Sequence, residues 1–440
     1  MRVNRRDNYK WAVLALLSCA YFFHQADRAI FGVLTPEIQS ELGLDDVHLG
    51  WINLALSWTI AIVTPLAGLL AARASRKWLI TGSLIFWSVA TCLIGMVGDV
   101  WHVCGVAVPA FVSLLALRAL AVGGGESFYG PAAMALLAAH HRETRSLAFS
   151  IHQAALYLGL MASGWIVAVL LGVLSTWRNV FIAFGATGFL LGLVFVFALK
   201  EGSGEAISRS LQDKDGSLST SGQESASPLV ALKAFFGNPS ALFATAGFVA
   251  IVCANNAYLF WGVKFAVLKF ADSGITLASA KTATMLWHHV FAFAAILLGG
   301  VITDRFVRGR PRFRLGFQIV SLLCGAPVLV WLGFTPNWAS FLVAGSAYGV
   351  FRGFFEVNTH ASVFDVIAQP YRSTAVGCML LIAFFIGGVL SGWAMGFLSR
   401  TYGLRGFEIG FALMGGIYVL AAVLMSISFF FTFKRNRIVE

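Results

Sequence analysis

Twelve apolar runs, each about as long as a bilayer is thick, limit what this chain can fold into. A spanning helix needs roughly 20 mostly apolar residues. Runs of that kind are read over 11–35, 47–72, 78–98, 104–138, 146–172, 177–199, 238–266, 278–303, 315–334, 338–366, 372–398 and 406–433. Hydrocarbon offers no partner to a backbone N–H or C=O, so each run must satisfy its own hydrogen bonds as a helix. Composition points the same way. The chain is 58% hydrophobic and only 12% charged, where a soluble domain carries about 25% charged residues. The expectation is an all-α, multi-pass membrane protein of twelve transmembrane helices.

The N-terminal MRVNRRDNYK followed by WAVLALLSCAYFF has the layout of a signal peptide, a basic segment before an apolar one. The apolar stretch continues past Asp27 and Arg28 to Leu34, long enough to span, so an uncleaved first helix is expected. The six cysteines are scattered, without CxxC or metal-ligand spacing, and read as small core residues. No metal and no organic cofactor is expected.

Lys and Arg in the loops set orientation. With the N-terminus cytoplasmic, 22 of the 31 basic residues fall on that side, including Arg5, Arg6, Arg76, Lys77 and the run from Arg305 to Arg314. The first loop on the other side is acidic, with Glu37, Glu41, Asp45 and Asp46. Both termini are therefore expected in the cytoplasm, with the chain in the plasma (inner) membrane. The net charge of +11 is then topological and needs no nucleic-acid partner. One long polar, Ser- and Gly-rich stretch, Lys200 to Pro228, reads as a flexible linker. It divides the chain into a six-helix unit over 1–199, a cytoplasmic linker over 200–237 and a second six-helix unit over 238–440. Such a layout suits a transporter built from two related halves.

An internal repeat supports the division. GLLAARASRK follows helix 2 and GVITDRFVRG follows helix 8, each with Arg five residues after a glycine. These segments resemble the helix 2–3 loop of the major facilitator superfamily, G-x-x-x-D-R-x-G-R-K/R. The resemblance implies two pseudo-symmetric six-helix bundles and a cytoplasmic gate involving Arg73, Arg76, Asp304 and Arg305. The first copy departs from the pattern: Ala72 stands at the aspartate position and Ser75 at the second glycine.

Ionisable groups inside a span are costly unless paired or hydrated, and so mark function. Helix 1 carries His24, Asp27 and Arg28. Helix 4 carries Arg118 and Glu126 in RALAVGGGESFYGP, with Tyr129 one turn on. Helix 5 adds His152, Gln153 and Tyr157; helix 7 adds Asn255, Asn256 and Tyr258; helix 8 adds His288 and His289, of which at most one should line a path. Helix 10 carries Arg352, Glu356 and His360 at four-residue steps, one polar stripe, with Asn358 between them. Arg352 and Glu356 can satisfy each other as a scaffold pair. The glycines at 123–125 suit close helix packing or local bending.

Arginine in a low-dielectric cavity binds a carboxylate bidentately, and a desolvated carboxylate accepts a proton more readily than in water. Together they can link proton and anion movement. YFFHQADRAIFGVLTPEIQSELGL, the helix 4–5 segment and FDVIAQPYRSTAVG resemble the anion:cation symporter group of the superfamily and its sugar-acid porters, with some likeness to Spinster-like carriers. That resemblance implies no enzyme but a proton-coupled symporter of a small organic anion, working by alternating access as a monomer, with a Spinster-like lipid or amphiphile carrier as the alternative. It places substrate contact on Arg28 and Arg118 and proton coupling on Asp27 and Glu126. The helix 4 pair is eight residues apart where the family usually has seven, and eight turns the two side chains about 80° apart on an ideal helix. A local bulge near the glycines would restore their register.

Overall fold

The computed structural model describes residues 5–103, 106–141, 144–200, 228–307, 310 and 312–438. Twelve long helices follow one another: α1 (Arg5–Val33), α2 (Asp46–Arg73), α3 (Arg76–Ile94), α4 (Ala110–His140), α5 (Arg145–Leu174), α6 (Trp177–Ala198), α7 (Pro239–Lys269), α8 (Leu277–Val307), α9 (Phe313–Gly333), α10 (Trp338–Glu356), α11 (Gln369–Tyr402) and α12 (Leu404–Asn436). Ten of them are long and apolar enough to cross a membrane. The exceptions, α1 and α10, are long enough at 29 and 19 residues. Their apolarity is diluted by Asp27, Arg28, Arg352 and Glu356, side chains that carry the chemistry discussed below.

Three boundaries differ from expectation. Helix 4 begins at Ala110, not near 104, because β-branched Val100–Val103 (β1) and Val106–Pro109 (β2) pair as an antiparallel hairpin. Helix 10 ends at Glu356, and a separate short helix, Thr359–Phe364, follows a turn. The expected Arg352–Glu356–His360 stripe is therefore broken, and His360 is exposed. Pro228–Phe236, read as the end of the linker, is helical and buries Ala231 and Phe235; 201–227 lie outside the described residues. Cys19 and Cys324 are exposed, contrary to a core role, whereas Cys253 is buried.

Contacts repeat between the halves. α1 packs on α5 as α7 packs on α11; α3 on α6 as α9 on α12; α2 on α4 as α8 on α10. Across the interface α2 meets α11, α5 meets α8, and α1 meets α7. Each of these crossings maps onto another, or onto itself, when the halves are exchanged, as a two-fold pseudo-symmetry requires. Glycines make the close approaches possible. A Cβ on Gly123 would meet Leu56 Cδ1 at 2.7 Å, and one on Gly125 would meet Phe86 Cδ1 at 2.9 Å and Trp87 Cβ at 3.0 Å. Gly124 has room, its nearest neighbour Thr59 Cγ2 lying at 3.9 Å. The triplet thus seats α4 against α2 and α3, which is its packing role.

An even number of helices puts both termini at one end of the bundle. At the opposite, distal end the halves are sealed. Gly164 of α5 packs directly on the Lys281 carbonyl of α8, and Gly50 of α2 faces Gly392 of α11 backbone to backbone. Charge fastens the same end. Asp46 pairs with Lys264, which also reaches Gln39 at 2.5 Å, and accepts from Ser399. Glu37 pairs with Lys281, whose side chain is fully buried, and Arg400 meets Asp45 at 3.2 Å. Every one of these ion pairs joins the N-terminal half to the C-terminal half.

Two outcomes follow from this packing. Gly125→Ala should lower the melting temperature of the detergent-solubilised protein by several degrees, an overpacking cost of about 1–3 kcal/mol, while Gly124→Ala leaves it nearly unchanged. Breaking a buried ion pair by removing one partner costs about 3–5 kcal/mol, so Glu37→Gln should open the distal seal. Spin labels at Val173 and Asp272 would then show a longer distance component. The double change Glu37→Gln with Lys281→Met, which removes the orphaned charge, should restore the short distance.

Candidate functional site

Helix α4 is not one regular helix. Leu115–Val122 forms a π segment between the α-helical pieces Ala110–Leu114 and Gly123–His140. A π turn takes up one residue more than an α turn, so the extra residue between Arg118 and Glu126 is absorbed just before the glycines. Both side chains are buried, at 2% and 4% exposure.

Arg118 Nη2 donates to the carbonyl of Arg28 at 2.6 Å, and its guanidinium lies over the Phe31 ring at 5.5 Å. Its Nη1 has no hydrogen-bond partner. The Arg28 guanidinium lies over Phe384 of α11, also at 5.5 Å. Among the described residues neither guanidinium makes an ion pair with a carboxylate. Both line one small cavity with Gly32, Asn53, Leu56, Ser57, Asn256, Leu259 and Phe260, directly beneath the distal seal. The lining contains no acidic residue.

The two carboxylates stand behind this cavity. Asp27 Oδ2 accepts from Thr91 Oγ1 at 3.0 Å, and its Oδ1 is unpartnered. Among the described residues Glu126 has no hydrogen bond at either oxygen; His24 Nε2 lies 3.9 Å from Oε2. Arg28 and Arg118 are both within electrostatic reach of Glu126, and Arg118 of Asp27. Four charges are thus close enough to feel one another without collapsing into closed pairs.

Behind Glu126 lies an aromatic and imidazole cluster. Tyr21 stacks on His152 at 4.3 Å, and His24 stacks on Tyr129 at 5.7 Å. Tyr129 donates to the Leu17 carbonyl at 2.5 Å and lies 3.3 Å from His152 Nε2. Gln25 Nε2 meets His24 Nδ1 at 2.9 Å. Gln153, one residue beyond His152, is exposed and turned from this cluster.

On the second half, Asn256 joins the arginine cavity, while the Asn255 side-chain oxygen is buried without a partner. Tyr258 donates to the Thr284 carbonyl at 2.9 Å. His288 binds the Gly345 carbonyl through Nδ1 at 3.1 Å, with Arg352 Nη1 3.3 Å from its Nε2. His289 turns away and bonds Met285 O at 2.6 Å. Asn358 sits apart, at the end of the bundle that carries the termini, donating to Thr303 Oγ1 at 2.9 Å. Nearby, Asp304 and Arg305 are exposed, and Arg76 reaches the Ala135 carbonyl at 3.4 Å. The side chain of Arg73 lies outside the described residues.

Sequence reasoning missed Asn53, Ser57, and the lysines of the distal seal. Asn53 and Ser57 look like ordinary helix residues. Lys264 and Lys281 had a signal: they stand near the distal ends of apolar spans, facing a loop of four acids.

The Major Facilitator Superfamily model matches residues 17–335. The chain is 24% identical over 439 residues to the probable galactarate/D-glucarate transporter GudP of Escherichia coli, covering 96% of this chain and 93% of that protein. It is 26% identical over 313 residues to the Bacillus subtilis protein of the same name, covering 68% of this chain and 66% of that one. A solved structure of a bacterial homologue of the human lysosomal transporter Spinster, inward-facing and unoccupied, superposes with a TM-score of 0.78 at 19% identity, over 98% of this chain and 99% of that one. Matched across most of its length, with paired helical halves and a polar cavity between them, the chain belongs to the Major Facilitator Superfamily and is a multi-pass membrane transporter, not an enzyme.

Proposed function

We propose that this transporter moves a small organic anion of the sugar-acid class together with protons, by symport into the cell. One observation carries the reading: two guanidiniums share a cavity in which no protein carboxylate pairs with them. Unpaired cations facing such a cavity call for an anion, and a guanidinium fork matches a carboxylate in shape and charge. The relatives named as galactarate/D-glucarate transporters favour the same substrate class.

With both termini in the cytoplasm, the sealed distal end faces outward. Arg28 and Arg118 hold the substrate carboxylate, and Asn53, Ser57 and Asn256 supply polar contacts around it. Asp27 and Glu126 are the proton sites. A proton on Glu126 removes a negative charge from beside the guanidiniums and strengthens their hold on the anion. By reciprocity the bound anion strengthens the hold on the proton by the same factor. Rocking of the halves about this site exposes it to each side in turn. The Glu37–Lys281 and Asp46–Lys264 pairs, with their glycine contacts, form the outer gate.

Arg28→Ala should weaken sugar-acid binding by at least tenfold, the loss of a charge-assisted hydrogen bond of about 1.5–3 kcal/mol; titration calorimetry on purified protein reads this directly. Retained affinity would remove Arg28 from the site. Glu126→Gln should preserve exchange of labelled substrate in proteoliposomes while abolishing accumulation driven by an imposed pH gradient. Undiminished uphill uptake by that variant would rule out the coupling role of Glu126.

A further inference from the structure

Two buried side chains at the back of the site face each other with their polar atoms unused. His24 Nε2 of α1 lies 3.9 Å from Glu126 Oε2 of α4, and the two side chains are only 9% and 2% exposed. Among the described residues, His24 Nε2 and both Glu126 oxygens lack a hydrogen-bond partner. Polar atoms in that condition are costly to bury, so their juxtaposition calls for a reason. Contact with substrate does not supply one for His24, which does not line the cavity of Arg28 and Arg118.

The imidazole is not free to choose its tautomer. Gln25 Nε2 meets His24 Nδ1 at 2.9 Å. An amide nitrogen only donates, so Nδ1 accepts and the neutral ring carries its proton on Nε2. That is the nitrogen turned toward Glu126. The ring is held on three sides: Tyr129 stacks on it at 5.7 Å, Tyr21 lies tilted at 5.7 Å, and Trp87 meets it edge-on at 5.2 Å. A movement of about 1 Å by the glutamate side chain brings Oε2 to the length of a charge-assisted hydrogen bond, about 2.8 Å.

We infer that His24 is a positioning residue for proton coupling: it donates from Nε2 to ionised Glu126 and so sets how tightly Glu126 holds its proton. The other ionisable groups around Glu126 are Asp27 and Arg28 on α1, Arg118 on α4, and Tyr21, Tyr129 and His152 behind. Helices α2 and α3 bring Leu56, Thr59, Trp87 and Thr91 to this region, none of which titrates. Without His24, an ionised Glu126 turns to the guanidiniums and occupies the anion site itself. With His24 it has a donor behind the cavity, and the guanidiniums stay open to substrate. A charged carboxylate gains more from that N–H than the protonated acid does, so His24 favours release of the proton. This role rests on the assignment of Glu126 as a proton site.

Infrared difference spectroscopy on the full-length protein in lipid, with no substrate added, reads that proton through the carbonyl stretch of a protonated carboxyl. The band that fades as pH rises in wild type and is missing from Glu126→Gln belongs to Glu126. His24→Phe, which keeps the ring stacking and removes the donor, should move the midpoint of that band to higher pH by about one unit or more. His24→Asn, whose amide is too short to stand in for Nε2, should do the same, and it serves if the Phe variant folds poorly. His24→Gln, whose amide nitrogen takes the place of Nε2, should keep the wild-type midpoint. An unchanged midpoint in His24→Phe and His24→Asn overturns the role of His24 and leaves Glu126 as the proton site. So does a His24→Gln midpoint displaced as far as that of His24→Phe. If no titrating band is lost in Glu126→Gln, the proton-site reading of Glu126 is overturned and the role of His24 falls with it.

Discussion

A guanidinium inside a membrane must find an acceptor, and Arg118 finds one in the backbone carbonyl of Arg28. Much of the site hangs on that contact. It ties α4 to α1 through a group that substitution of the Arg28 side chain does not remove. It also leaves the second terminal nitrogen of Arg118 without a partner among the described residues. Had either arginine closed onto Asp27 or Glu126, the pair would be satisfied and inert. A backbone acceptor satisfies part of the cation's demand while leaving its net charge uncompensated.

The seal between the halves combines two kinds of force. Glycine-to-backbone contacts such as Gly164 on Lys281 give close approach with little side-chain interlock. Ion pairs supply attraction between surfaces that otherwise slide, and one of them is built on a fully buried lysine. Removing two charges from water is expensive, so such a pair adds modestly to stability when intact and costs much when broken. That asymmetry suits a gate better than a permanent joint: the closed state is well defined, and opening lets both charges regain water.

Much of this was readable in the residues because hydrocarbon enforces simple rules. The apolar runs located the spans, and Asp27, Arg28, Arg118 and Glu126 stood out for being charged inside them. The same charges diluted α1 and α10, so the two helices that matter most have the weakest apolar signal. Misreadings arose where local geometry overrides periodicity. The valines of 100–108 paired as a hairpin that hydropathy cannot distinguish from helix, and a turn at Val357 and Asn358 cut the polar stripe of α10 before His360. Asn358, expected among the substrate-contacting residues, lies in that turn and donates to Thr303. The distal seal was legible only in part. Glu37 and Asp46 were read as loop acidity, because pairing them with lysines more than 200 residues away needs the tertiary structure.

The widened turn of α4 has a consequence for how relatives of this chain are compared. Sequence alignments usually forbid gaps inside membrane spans, on the view that an insertion there would rotate half a helix out of place. The π segment Leu115–Val122 shows how one turn can store a residue more than an α turn within a span. Against a relative with seven residues of spacing between this pair, a gapless match would put either Arg118 or Glu126 opposite the wrong column, and a residue that is only displaced would look replaced. A gap placed within 115–122 is the one that follows the molecule.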